Sequence, residues 1–155
     1  MIATYRSIPE VLTSYISLIK RSNHENNFID EHLRKDNLQI TNNNRAECIW
    51  RYYVAPSYES MIYGMTKYPD WVHLVEYNSL VKNPQKELDK IYNFLDVASY
   101  TNTFYNIENA CGEKKDEEWG LRGLHDIRPN LSKISENPID VIGEKNVKIY
   151  SKFDI

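Results

Sequence analysis

Trp71-Val72-His73-Leu74-Val75-Glu76-Tyr77 is the stretch on which the fold turns. β-branched and aromatic residues fill it, Tyr68-Pro69-Asp70 marks a turn before it, and the pattern predicts a strand. Asn83-Pro84 follows as a cap and first-turn pair for a helix. Leu88, Ile91, Tyr92 and Leu95 then fall at helical spacing and form one apolar stripe. Upstream, Met1 to Tyr5 reads as the last residues of a short strand that runs directly into Arg6. Ser7-Ile8-Pro9-Glu10 begins a helix, with Ser at the cap, Pro in the first turn and an acid at the positive end of the dipole. Val11, Leu12, Tyr15, Ile16, Leu18 and Ile19 give it a buried face, and it fades near Arg21-Ser22. Strand, helical segments, strand, helix is the grammar of an α/β domain with a parallel pair.

The remainder is less regular. Residues 23–44 are polar and Asn-rich, and predict a loop with a short helix around Asp30 to Lys35. A helix is expected from Arg45 to Val54, ended by Pro56, and another from Tyr58 to Thr66. Beyond Val97 the pattern dissolves into loops through Lys115. The last third, Trp119 to Ile155, reads as irregular, with turns at Gly120, Gly123, Pro129, Pro138 and Gly143.

Composition sets outer limits. The 155 residues, 41% of them hydrophobic and 12% aromatic, suit one domain spanning 1–155 and exclude disorder as the main state. A formal charge of −3 excludes a protein that wraps a nucleic-acid backbone, although a local basic pocket for one small anion is compatible with it. No apolar run approaches the ~18 residues a membrane span needs. Cys48 and Cys111 lie far apart without CxxC spacing, which suits a reduced, cytoplasmic protein. No Cys or His pair stands at ligand spacing, so no metal is expected.

Three groups of residues carry candidate chemistry. Arg6 sits where a strand gives way to a helix, and Ser14 lies on the polar side of that helix with Glu10, Ser17 and Arg21. A guanidinium grips a phosphate bidentately, and a serine hydroxyl adds one further bond. Tyr77 stands at the carboxyl end of the strong strand, where open α/β sheets form their ligand crevice. Trp119-Gly120-Leu121-Arg122-Gly123-Leu124-His125-Asp126-Ile127-Arg128-Pro129 combines two glycines, which let backbone approach a ligand, with Arg122, His125 and Arg128 as anion donors. His125 beside Asp126 reads as a structural hydrogen-bonded pair, and Glu113 to Glu118 as a solvated charge run.

In their order and spacing these groups resemble the carboxyl-terminal part of the sulfotransferases that use 3′-phosphoadenosine 5′-phosphosulfate. Arg6 through Tyr15 is similar to the family's 3′-phosphate motif, an Arg at a strand end and a Ser eight residues on. Val75-Glu76-Tyr77-Asn78-Ser79-Leu80 through Phe94-Leu95 is similar to its Tyr-Glu-Asp-Leu segment and following helix. Gly123-Leu124-His125-Asp126-Ile127-Arg128-Pro129 resembles a late segment of bacterial-type and phage-type members. The resemblance runs from Ile2 to about Gly143.

The resemblance implies a partial P-loop-type parallel sheet flanked by helices, with the irregular carboxyl-terminal third. It implies that Arg6 and Ser14 hold the 3′-phosphate, that Tyr77 lies by the adenine, and that Arg122, Gly123 and Arg128 close over the nucleotide. The co-substrate is then 3′-phosphoadenosine 5′-phosphosulfate, and the partners are that donor and an acceptor whose chemistry the sequence does not specify. Asn78-Ser79 departs from the family by replacing its acidic pair. The Gly-rich basic loop that grips the 5′-phosphosulfate is not among these residues, and the catalytic base is unassigned. The expectation is a domain truncated at its amino terminus, completed by an amino-terminal segment and inactive alone. The alternatives are a non-catalytic remnant of the fold that binds a nucleotide or a protein, and a P-loop-type nucleotide kinase.

Overall fold

The computed structural model describes residues 1–22, 26–108, 116, 120–133 and 136–155. Cys111, Trp119 and the acids at 113, 117 and 118 lie outside the described residues. The chain is helix-rich with a small parallel sheet, and its contacts divide it into two compact units.

The first unit comprises Met1–Arg6, Tyr58–Ala110 and Ile127–Ile134. Its sheet is β1 (Ile2–Tyr5) paired in parallel with β2 (His73–Glu76), in the register Ile2↔His73, Ala3↔Leu74, Thr4↔Val75 and Tyr5↔Glu76. The strand expected over 71–77 is shorter, because Pro69–Trp71 forms a 3₁₀ turn and Tyr77 already belongs to a helix. That helix, α5 (Tyr77–Lys82), falls in a segment the sequence pattern left unassigned. It is followed at once by α6 (Pro84–Phe94), with Pro84 in the first turn as expected. Both pack on β2, whose Val75 is fully buried, and the His73 imidazole lies 5.1 Å from the Phe94 ring. The expected loop after Val97 is tied to α6: the Asn102 N–H donates to Gln85 Oε1 at 2.9 Å and its amide to the Tyr92 hydroxyl at 2.8 Å. It also makes one antiparallel bridge, Tyr105↔Asn130, flanked by Ile107 N–H to Pro129 C=O at 2.9 Å and Leu131 N–H to Phe104 C=O at 3.1 Å.

The second unit comprises Ser7–Ser57, Cys111–Asp126 and Ser135–Ile155. Here α1 (Ile8–Ser22) packs on α3 (Asn42–Ile49) and α7 (Pro138–Tyr150), and α2 (Phe28–Lys35) packs on α3. Ile8, Leu12, Ile16 and Ile19 recur at helical spacing and meet Ile29, Leu33, Ala46, Ile49, Val141 and Ile142 in the core. Asn42-Asn43-Asn44, expected as loop, form the first turn of α3 because the Thr41 hydroxyl caps the Asn44 N–H at 3.2 Å.

Pro56 does not end the helix it follows. Trp50–Val54 adopts a π-helical turn in which the Ala55 N–H reaches the Trp50 carbonyl, five residues back, and α4 (Ala55–Lys67) continues from there. A proline inside an α-helix lacks its N–H and presses on the carbonyl four residues earlier. One widened turn just before Pro56 relieves both problems. The carboxyl-terminal third is likewise not irregular throughout. Asn137 accepts from the Ile139 N–H at 3.1 Å, Pro138 occupies the first turn, and α7 runs on to Tyr150. Gly143, at φ 79°, kinks this helix, and that break is what obscured its periodicity. Asp154 at the far end accepts the Ile8 N–H at 2.6 Å, so the chain's tail caps α1.

The start of α2 holds a buried polar network. Asn27, 1% exposed, accepts the Asp30 N–H at 2.9 Å and donates to Asp30 Oδ2 at 2.9 Å. Arg45 grips the same carboxylate bidentately, at 2.7 and 2.6 Å. Gly120, at φ 65°, lies against this corner, and a Cβ there would stand 2.6 Å from the Asn26 carbonyl oxygen and 2.7 Å from Asn27 Cα. Among the described residues no helix is long and apolar enough to cross a membrane.

Burial alone raises the Asp30 carboxyl, but the bonds from Arg45 and Asn27 outweigh it and hold the group below its ordinary 3.8. The pair's contribution is therefore complete above that value and is lost as pH falls through the lower folded value. Arg45→Met should cost about 3 kcal/mol at neutral pH. Denaturant melts carried from neutral pH down into the acid range below that carboxyl's ordinary value should show the deficit shrinking as Asp30 is protonated. Gly120→Ala should cost roughly 2 kcal/mol or more from strain and overlap, read as a lowered melting temperature.

Candidate functional site

The register of the parallel pair decides which side chains meet. Tyr5 and Glu76 are the last paired positions, so the next residues along each strand, Arg6 and Tyr77, leave the sheet side by side. Seventy-one residues separate them in sequence, yet the Arg6 guanidinium carbon lies 4.7 Å from the centre of the Tyr77 ring. That distance is within the range of a cation–π contact. Both side chains are half-buried, and they sit beyond the carboxyl ends of the strands, where α/β sheets bind ligands.

Glu76 fixes the turn from strand to helix. Its carboxylate caps α5, Oε1 accepting the Asn78 N–H at 2.8 Å and Oε2 the Ser79 N–H at 2.5 Å. Burial pushes this carboxyl up, but these bonds, with those of the Asn78 and Ser79 side chains, bring it below its ordinary 4.5. A negative group at a helix start is also favoured by the exposed backbone N–H groups there. Asn78 and Ser79, which replace the acids of the resembled segment, thus donate to the Glu76 carboxylate, two and three positions earlier.

Of the other predicted residues, one belongs to the first unit and three to the second. Arg128 belongs to the same unit as Arg6 and Tyr77 and is exposed, next to the Pro129 carbonyl that accepts from Ile107. Ser14, Arg122 and Gly123 belong to the second unit. Ser14 is exposed on α1, while its neighbours Thr13 and Ser17 are buried. The Arg122 carbonyl accepts from the Ser22 hydroxyl at 3.4 Å. Gly123 takes φ 78°, a conformation that favours glycine, while the nearest atom to a Cβ there, Asp126 Oδ2 at 2.9 Å, is the end of an exposed side chain that can shift.

His125 is paired, but not with Asp126. Asp116 accepts the His125 N–H at 2.9 Å through Oδ2, and its Oδ1 lies 2.5 Å from the ring Nδ1. A carboxylate at Nδ1 favours the tautomer protonated there, whose Nε2 is an acceptor. Asp116 is only 6% exposed and comes from the acidic run that read as solvated charge. Nothing in the surrounding run of acids and lysines marks this acid as buried. Among the described residues no group of three or more His, Cys, Asp or Glu side chains is placed to hold a metal ion.

Arg6 and Tyr77 together form a fixed cation on an aromatic support at a strand end. A guanidinium meets a ring through its face and an oxyanion through its N–H edge, so the two contacts are compatible. The chemistry available is recognition of a phosphate or sulfate group. Compared with protein-family models, with curated proteins and with solved structures, the chain matches none.

Glu76→Ala removes both acceptors from the start of α5 and should cost about 1 kcal/mol. Because the folded carboxyl lies below its ordinary value, the wild-type advantage should be full at neutral pH and vanish as acid titrates Glu76. Thermal melts of both proteins across that range provide the measurement.

Proposed function

We propose that this chain is a sulfotransferase-type nucleotide-binding domain whose two-stranded pair is part of a P-loop-type sheet. It supplies the 3′-phosphate and adenine half of a site for 3′-phosphoadenosine 5′-phosphosulfate. The observation that carries the reading is the contact between Arg6 and Tyr77. Arg6 and Tyr77 belong to sequence motifs far apart in the chain, and each directly follows the last paired residue of its strand, Tyr5 or Glu76, at the carboxyl end of a parallel pair.

In the full reaction, a hydroxyl or amine attacks sulfur in line, the bond from sulfur to the 5′-phosphate oxygen breaks, and 3′-phosphoadenosine 5′-phosphate leaves. This chain's contribution is to bind and orient the donor. Arg6 pairs with the 3′-phosphate, and Arg128, in the same unit, is a further cation for the nucleotide. Such reactions depend on positioning and on stabilising charge at the transferring group. No Gly-rich basic loop of that kind occurs in the chain, so the proposal assigns it binding, with little or no turnover alone. On this reading the chain works in a reducing, cytoplasmic compartment, where Cys48, a buried thiol, stays free.

A 3′-phosphate clamp gives a definite selectivity. Charge-assisted hydrogen bonds contribute roughly 1.5–3 kcal/mol each, so calorimetric titration should show 3′-phosphoadenosine 5′-phosphate binding at least about tenfold more tightly than 5′-AMP. Arg6→Ala should abolish the difference while leaving 5′-AMP affinity nearly unchanged. Equal affinity of the wild-type chain for both nucleotides would refute the assignment.

A further inference from the structure

The expected role of the Tyr77 ring is to lie by the adenine, yet one of its faces already carries a cation. The Arg6 guanidinium carbon is 4.7 Å from the ring centre, and an aromatic face that holds a guanidinium does not at the same time stack a base. The ring is itself held from two directions. Its residue directly follows Glu76, paired with Tyr5, and it opens α5, whose first turn the Glu76 carboxylate fixes through the Asn78 and Ser79 N–H groups. A long, flexible arginine is therefore presented on a rigid, short-armed support. Holding it there before ligand arrives removes part of the ordering cost of binding.

We infer that Tyr77 is a positioning residue for the Arg6 guanidinium and does not read the base, so that the pair selects a phosphate monoester through Arg6. The inference rests on the proposed function only for the identity of the ligand, since the contact itself is intramolecular. It makes the phenol oxygen dispensable and the aromatic ring essential. It also separates the effects of Tyr77 on phosphate and on base, which a stacking role would tie together.

The test uses the full chain as wild type, Tyr77→Phe and Tyr77→Leu, titrated calorimetrically with 3′-phosphoadenosine 5′-phosphate and with 5′-AMP. Tyr77→Phe should keep the wild-type preference between the two. Tyr77→Leu should reduce that preference by roughly three- to thirtyfold, the span of a cation–π contact, with 5′-AMP affinity nearly unchanged. A parallel loss for both nucleotides in Tyr77→Leu would overturn the inference, because that is the signature of a residue that stacks the base. No loss for either would overturn it too.

A second readout needs no nucleotide. The Arg6 side-chain protons should resonate upfield of ordinary arginine positions in the wild type and in Tyr77→Phe, through the ring current, and return in Tyr77→Leu. Absence of that upfield shift in the wild type overturns the inference even if Tyr77→Leu does not fold. A wild-type chain with no preference for the 3′-phosphorylated nucleotide refutes the proposed function. The Arg6 resonances then still decide whether Tyr77 holds the guanidinium.

Discussion

Parallel pairing of β1 with β2 is the constraint from which the candidate site follows. With Tyr5 opposite Glu76, the two strand ends are level, and Arg6 and Tyr77 emerge together. Side chains alternate along a strand, so a slip of one residue would turn one of them to the opposite face of the sheet. Val75, fully buried at the third position of β2, is what resists such a slip, because it would exchange a buried side chain for the neighbour that faces away from it. The position of the Arg6 guanidinium is in this way secured by an apolar residue two places before Tyr77.

Glu76 links that strand end to the rest of the first unit. It is the last residue of β2, the partner of Tyr5 and the cap of α5. α5 leads directly into α6, and both helices lie on β2. One residue therefore serves the sheet through its backbone and the helix start, with the ring that supports Arg6, through its carboxylate. Its loss is expected to be felt first in local order around Tyr77 and only secondarily in global stability, because the cap is local whereas the core contacts of Val75 are not.

The sequence is legible where one physical effect dominates locally. β2, α1 and α6 announce themselves through β-branched residues or a clean apolar stripe, and Pro84 marks a first turn for a reason independent of tertiary context. What escapes is decided by pairs of effects. Pro56 reads as a helix end because the rule concerns α-helices, and a π-helical turn is a different solution to the same clash. Residues 138–150 read as turns because Gly143 interrupts their period, although Asn137 and Pro138 carried a start signal of the same kind as Asn83 and Pro84. Tyr77–Lys82 is too short for periodicity to register, and only Glu76 followed by two N–H donors betrays it. In the candidate site, Arg6 and Tyr77 were legible as residues but not as a contact, because register is a property of two strands that neither strand encodes alone. Asp116 was illegible because burial of one acid within an acidic run leaves no mark on composition.

The two units solve the placement of charge in different ways. In the second, the Asp30 carboxylate is buried but answered by Asn27, its own helix start and a bidentate Arg45, so its charge is consumed in holding α2 to α3. A network satisfied from within has little to offer a ligand, since any new partner must displace one already optimally placed. In the first, Arg6 rests on a ring. A cation–π contact neutralises no charge and uses a face of the guanidinium that an oxyanion does not need. That difference in support, a ring face under Arg6 and a buried carboxylate against Arg45, is why the strand-end arginine is the group for which an anionic ligand is proposed.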